Sequence, residues 1–598
     1  MAGTKPVDLK ELKHYPAMTN WFGVGLLAKL LGRVVVSDWF GQYADRRLMV
    51  AALDTVHDEV HRNLASQFLP GPAASPGGIK FTPDADGNVW IDYVADLGDG
   101  FDATYAIATL LAQEELELDG HTTRRGQVLI MGGDQVYPSA TMENYQKRLR
   151  DPYDWAFPDP NPGPAGVGGI PVYAIPGNHD WYDGLRIFLA LFCRKAEPLH
   201  LGGWRTFQHR SYFALQLTED WWVWAMDAQL ADDVDQPQKE YFVAIARSMK
   251  PGSKIILCGP EPGWIYLKNG ESKSLDLLSY FAQIACKYCE GVSFPIILSG
   301  DTHHYSRYEN DLPVKTQFIT CGGGGAFLHP THHMHPTQVL HEPEVHQKRT
   351  WINGKMGKTL TLASKIGKPQ EEALYPSRNQ SLCLLARDLL FPCYSPGFSM
   401  VLGLFYVAAL LLKIALPFDA LYLVPLIFFG GFWAYTAKQE QGKLKIFLVS
   451  AVNALAHSGL AYCLFSMAQS IAPVIPGQTQ GTEDLMHALF NRMHWLIVAG
   501  LVTIIGGVLG GFLFGAYLYV TSRWCDMNHN DAFSCLRMDK FRGFLRIKLN
   551  GPAATIYVIG LDEVPKRDKW RRKTGTGKPA YDVEGGLHPK LVDGPIIV

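Results

Sequence analysis

A chain of 598 residues is too long for one hydrophobic core, and three or more units are expected from its length. The formal net charge of -2 and near-neutral pI leave no global basic field, so no nucleic-acid partner is expected. Hydrophobic residues make up 47%, but nearly all long uncharged apolar runs lie after Ser399, which separates a water-soluble part from a membrane-type part.

The chain opens polar, from Thr4 to His14, without a signal-peptide pattern. The next apolar stretch, Trp21 to Val36, carries Lys29 and Arg33 and reads as an amphipathic surface helix, so residues 1–80 are expected to form a helical N-terminal region. Ten cysteines follow no framework. The one tight pair, Cys286-x-x-Cys289, has no second pair at zinc-ribbon distance, and this usage fits a reducing compartment.

Between Phe81 and Gly325 one pattern recurs: a short β-branched or apolar run ending in Gly with Asp, Asn or His. Val89 to Ala95 ends at Asp96-Leu97-Gly98-Asp99, Gln127 to Met131 at Gly132-Gly133-Asp134, and Val172 to Ile175 at Pro176-Gly177-Asn178-His179-Asp180. Lys254 to Leu257 ends at Cys258-Gly259-Pro260-Glu261, and Ile296 to Leu298 at Ser299-Gly300-Asp301-Thr302-His303-His304. Buried strands with functional residues at their carboxyl ends are the habit of layered α/β proteins. If the strands are neighbours, these side chains converge on one rim. Their oxygen and imidazole donors suit two divalent or mixed-valence metal ions drawn from Mn, Fe, Zn and Mg. A Pro- and Gly-rich insertion, Ser139 to Gly169, reads as a lid or substrate wall.

The ordered set resembles the calcineurin-like metallophosphoesterase family over roughly residues 90–310, and Gly133-Asp134-x-x-Tyr137 with Asp96-x-Gly98 is similar to its purple acid phosphatase branch. The resemblance implies a layered β-sandwich flanked by helices, over residues 81–375. It also implies a first metal held by Asp96, Asp134, Tyr137 and His303, with Asp134 bridging to a second that Asn178 also binds. His179 would act beside the phosphate as proton donor or charge stabiliser, oriented by Asp180, with Asp99 behind the ligands. Two departures fall on the second metal: Glu261 stands where a His is expected, and Asp301 replaces the first His of Gly-His-x-His. The glycine run Gly322 to Gly325 can approach a phosphate through backbone N–H groups. His304 and His329 are candidates for binding substrate.

Four apolar segments over residues 399–521 are expected to cross a bilayer: Met400 to Leu416, Ala420 to Ala437, Leu444 to Ser470 and His494 to Val520. Lys438, Lys443 and Lys445 between the second and third, and the basic stretch from Arg523, place both termini and the catalytic domain on the cytoplasmic side. Asn453, His457 and Ser458 are expected to make helix–helix hydrogen bonds, and Gly506, Gly507, Gly510 and Gly511 to let helices pack closely. Residues 522–598 read as a basic tail with a β-hairpin about Asn550-Gly551-Pro552.

Together these features point to an integral membrane, metal-dependent hydrolase of phosphate mono- or diesters, acting on a lipid-linked or a soluble substrate, with its oligomeric state open. The competing reading is a membrane-anchored scaffold or regulator with a degenerate metal site. A channel or transporter regulated by the soluble domain is the third.

Overall fold

The computed structural model describes residues 5–27, 81–158, 169–193, 199–228, 234–267, 272–340, 358–415, 423–437, 442–471, 485–573, 575 and 578–598. Most of the expected N-terminal helical region, the middle of the 139–169 insertion, and the loops around Lys438 and between the last two expected spans lie outside the described residues. The chain divides into two compact units, one of residues 1–19, 43–377 and 539–598, the other of residues 20–42 and 378–538.

The first unit is built on two sheets. Its strands are β1 (Asn88–Val94), β2 (Val128–Met131), β3 (Ile170–Ala174), β4 (Phe213–Gln216), β5 (Trp221–Ala225), β6 (Lys254–Cys258), β7 (Ser293–Ser299), β8 (Tyr305–Asn310), β9 (Gln317–Cys321), β10 (Lys540–Asn550), β11 (Ala553–Glu563) and β12 (Lys590–Ile597), with short edge pieces. One sheet runs β12-β11-β10-β1-β2-β3 and then two short strands. In the other, β8-β9-β7-β6-β5-β4 is extended beyond β8 by Thr359–Leu362 and Thr337–Val339.

Alternation sorts each strand between two cores. Val89, Ile91 and Tyr93 of β1 and Val128 and Ile130 of β2 meet Val223, Ile256, Ile296 and Leu298 of the other sheet. Trp90, Val94, Leu129 and Met131 face the opposite way, toward α1 (Phe101–Leu111), which is buried almost all round. The second sheet is covered outside by α2 (Gln236–Ser248) and α3 (Lys273–Tyr288) through Phe242, Ile245, Leu278 and Phe281. The strands are apolar on both faces because both faces are covered.

The C-terminal strands revise the expected domain boundaries. The two strands flanking Gly551-Pro552 pair antiparallel, but they are no separate tail: β10 also pairs with β1, Ile547 opposite Ile91. The hydrophobic alternation of β10 is therefore spent in the inter-sheet core, through Leu545, Ile547 and Leu549. The insertion after Ser139 is likewise not all loop, since Tyr145–Arg150 and Asp151–Ala156 are helical and bury Tyr145, Leu149, Tyr153 and Trp155 in the core beside α1.

The second unit is helical. Among the described residues, three helices hold stretches long and apolar enough to cross a membrane: α4 (Pro396–Ala415), α6 (Lys443–Ile471) and α7 (Leu485–Trp524). The second expected span appears as α5 (Leu423–Thr436), 14 residues, which at 1.5 Å per residue falls short of a bilayer core of about 30 Å. The Tyr406 hydroxyl lies 2.5 Å from His457 Nδ1, the helix–helix hydrogen bond expected of that histidine. Gly506 and Gly510 of α7 lie so close to the Tyr406 ring that a Cβ would sit 2.8 and 2.7 Å from it.

Candidate metal and phosphoester site

Strands β1, β2 and β3 are parallel, as are β5, β6, β7 and β9, so their carboxyl-terminal loops gather at one edge of each sheet. Backbone hydrogen bonds lock the loops together: Asp96 N donates to Gly133 O at 3.1 Å, and Leu97 N to Asp134 O at 2.9 Å. The two sheets are joined where Asp301 N donates to Asp96 Oδ1 at 3.1 Å. Asp96, Asp134 and Asp301 all adopt the left-handed conformation, with φ of 57°, 48° and 67°. Asp tolerates that region better than most residues, and its use at three converging positions marks a functional constraint on the backbone.

Four of the expected first-metal residues meet at one hydroxyl. Tyr137 Oη lies 2.9 Å from Asp134 Oδ2, 2.9 Å from His303 Nε2 and 3.3 Å from Asp96 Oδ1. His303 Nδ1 lies 2.6 Å from Phe327 O; a ring that donates from Nδ1 turns its Nε2 lone pair toward this cluster. Glycine is required around these carboxylates. A Cβ at Gly177 would lie 2.1 Å from Asp134 Oδ1, and one at Gly322 2.1 Å from Asp96 Oδ2.

The electrostatics are those of too much buried negative charge. Burial, then the neighbouring carboxylates Asp134 and Asp301, hold Asp96 well above the usual carboxylate range. Asp301 is raised in the same direction by burial and by Glu261 and Asp134. Asp134 is pushed up to about 7, chiefly by burial and with Glu261 adding to it. Buried carboxylates crowded in this way call for a cation.

The second-metal residues are nearby. Asn178 Oδ1 is buried without a hydrogen-bond partner, as is Asp96 Oδ2. A Cβ at Gly133 would lie 3.6 Å from Gly177 Cα and 3.9 Å from Pro260 Cα, so the loops carrying Asp134, Asn178 and Glu261 meet at one point. The Glu261 carboxylate accepts from the Ser274 hydroxyl. Among the described residues, no three His, Cys, Asp or Glu side chains already stand as a metal-holding group. The donor chemistry and the two orphaned oxygens nevertheless fit divalent cations. Asp96, Asp134, Tyr137 and His303 would hold one, and Asp134, Asn178, Glu261 and Asp301 the other.

Asp180 Oδ2 accepts from Gly177 N at 2.9 Å and Gln135 N at 3.1 Å, and Oδ1 from the Tyr145 hydroxyl at 2.5 Å, so this carboxylate braces the motif loops. The His179 ring is held from another side, Nδ1 lying 2.9 Å from Pro138 O, and burial pulls its pKa down to about 4. His304 is 1% exposed, as buried as the residues of the cluster. His329 stacks on His303 with ring centroids 4.0 Å apart and stands beside the cluster. The glycine run is not a free phosphate cradle: Gly322 N donates to His304 O and Gly324 N to Ala95 O.

Asp99, expected behind the ligands, is fully buried. Asp99 accepts from Thr19 N at 2.8 Å and Phe327 N at 3.3 Å, beside Arg148 Nη1 at 3.7 Å. Two tyrosines with exposed ring area edge the site. The Tyr266 hydroxyl lies 3.3 Å from Asp301 Oδ2, and the Tyr182 ring meets His179 edge-on at 4.8 Å. Their only sequence signal was position just downstream of a motif.

No curated protein matches the chain. Among family models, that of the calcineurin-like phosphoesterases matches residues 89–305, from β1 to the start of β8 and across every motif loop described above. Those residues form a calcineurin-like phosphoesterase domain, of a family that generally uses divalent metal ions for phosphoester hydrolysis.

Proposed function

We propose that the chain hydrolyses phosphate mono- or diesters at a dinuclear metal site on the cytoplasmic face of a membrane. The observation that carries this reading is the convergence of Asp96, Asp134 and His303 on the Tyr137 hydroxyl, with Asp301 hydrogen-bonded to Asp96. When bound, the cations would supply Lewis acidity and a water acidic enough to ionise near neutral pH. The protein's part is to fix the geometry. Asp134 stands between the two donor sets, its Oδ1 taking His179 N at 2.9 Å while Oδ2 takes Tyr137. The Pro138 carbonyl faces His179 Nδ1 and orients the ring, and Nε2 is the atom we assign to proton exchange with the ester or its leaving group. The second donor set, Asp134, Asn178, Glu261 and Asp301, is all oxygen and favours a hard cation such as Mg or Mn.

Four crossings are supported by parity. The chain leaves the first unit at Ser377 and re-enters it at Asp539, and β1 and β10 of that unit pair with each other. Both ends of the helical unit therefore return to one side of any membrane, which requires an even number of crossings. With α4, α6 and α7 spanning, the fourth crossing falls to the whole expected segment that holds α5, not to its 14 helical residues alone, and Leu426 of α5 is 65% exposed, as a lipid-facing residue would be. Lys443, Lys445 and Arg523 support the cytoplasmic side for those ends.

The test is hydrolysis of aryl phosphate mono- and diesters by detergent-purified protein with manganese. Wild type is expected to turn over one ester class, and Asp134→Asn to lose activity by about 10³-fold or more, since both donor sets share it. Inactivity of wild type across metals and esters would overturn the hydrolase and leave the scaffold.

A further inference from the structure

The motif residues all precede the helical stretch of residues 378–538, yet the loop that sets His303 rests on a strand that follows it. Phe327 O accepts from His303 Nδ1, and the segment carrying Phe327 is pinned on the side of β10. Arg542 donates through Nη1 to Ala326 O, and Gly543 N donates to Gly323 O at 3.0 Å. The contact is backbone on backbone: a Cβ at Gly323 would lie 2.4 Å from Gly543 N. Arg542 is 0% exposed and follows Phe541, whose φ of 56° is left-handed. A buried guanidinium is kept only where its surroundings supply charge and acceptors. Here its charge is felt by Asp539 and Asp99, and Asp99 itself accepts from Phe327 N. The single peptide group between Ala326 and Phe327 is thus held at both ends, by Arg542 at Ala326 O and by Asp99 at Phe327 N.

We infer that Arg542 is a positioning residue for the first metal: it fixes the Ala326–Phe327 peptide, whose Phe327 carbonyl fixes the His303 ring. The site is therefore completed by the segment after the helical unit, and residues 89–305 alone do not make it. This rests on the metal reading above but not on hydrolysis. Partners that orient a ligating histidine through its second nitrogen typically change metal affinity by 10–100-fold.

The experiment follows Mn²⁺ binding to full-length, detergent-purified protein through the EPR signal of free Mn²⁺, with thermal midpoints measured alongside. Arg542→Gln is expected to weaken the tightest Mn²⁺ site about tenfold or more. Arg542→Lys, which keeps the charge and one donor, recovers part of the loss. A merely structural arginine would lower the midpoint and leave Mn²⁺ affinity alone, which overturns the inference. Should Arg542→Gln fail to fold, Gly323→Ala pushes the same contact apart from the loop side without stranding a charge, and wild-type Mn²⁺ affinity in that variant overturns it equally. Wild type that binds Mn²⁺ but hydrolyses no ester removes the phosphoesterase reading and leaves this one standing. Wild type that binds no Mn²⁺ removes both.

Discussion

In the first unit β1 buries all seven of its residues, divided between the inter-sheet core and the layer under α1. In the second unit α6 and α7 are as apolar as those strands, yet Val452 stays 68% exposed and Leu496 72%. The strands find their cover within the protein; the helices leave their Leu, Val and Ile rows without any. Rows of that size are not left to water in a soluble fold, and lipid is the solvent that suits them. The units also treat charge differently. Where the sandwich buries Asp92 it supplies Arg546, Nε to Oδ1 3.2 Å, and Arg546 donates in addition to Gln113 O at 2.8 Å. The exposed faces of the helices carry almost no charge to pair.

The largest effect that would sharpen this contrast is expected at that buried pair. Arg546→Met strands the Asp92 carboxylate, and a loss of about 3–5 kcal/mol is expected for breaking one side of such a pair. Denaturant unfolding read by near-UV dichroism of the sandwich tryptophans would show it; an unchanged midpoint would mean the pair is not sealed from water. Next comes a charge placed on the other unit's open face. Val452→Arg should leave the sandwich untouched while costing about 2.5–3.5 kcal/mol of membrane insertion. The fraction resisting alkaline extraction should fall, and full retention would break the lipid-facing assignment.

A smaller change tests packing inside the helical unit. A Cβ at Gly403 of α4 would lie 2.0 Å from Thr503 O of α7. Gly403→Ala is expected to cost about 1–3 kcal/mol as an overpacked contact, read as a lower midpoint in detergent. The smallest effect is one of pH. Burial raises the Asp92 carboxyl to about 6 even with Arg546 beside it. A folded-state pKa above the unfolded value means the group favours folding most at low pH, below about 4, and that contribution is lost as pH rises through 6. The midpoint of wild type relative to Asp92→Asn should therefore fall between pH 4 and 6; a difference independent of pH would mean that Asp92 titrates normally.

Much of the site was legible because its residues sit where strands stop. Asp96, Asp134, Asn178 and Asp301 each end an apolar run and lie beside a glycine or one residue beyond it, which is how a parallel strand reads when its carboxyl end carries chemistry. What was not legible depends on pairing across long sequence separations. Nothing in Lys540 to Asn550 says that its partner is β1; its alternation suits any half of a hairpin, and only the fold assigns the other edge. For the same reason Arg542 read as part of a basic tail, when its side chain is enclosed. Asp180 and His304 show another limit: their types fit the chemistry, but only the fold shows that both are buried and that Asp180 accepts from two backbone amides.

The partnership of β10 with β1 also has a consequence in time. Arg546 is 423 residues from Thr123, to which it donates, and the ribosome makes one of them long before the other. At about 5–20 residues per second, that interval is roughly 20–85 s, during which β1 has an unpaired edge beside a half-built rim. Helices α4 to α7 are all synthesised within that wait. A nascent chain halted between α7 and β10 would hold the motif loops without their last strand, and a chaperone that shields β-edges is the natural companion for that interval.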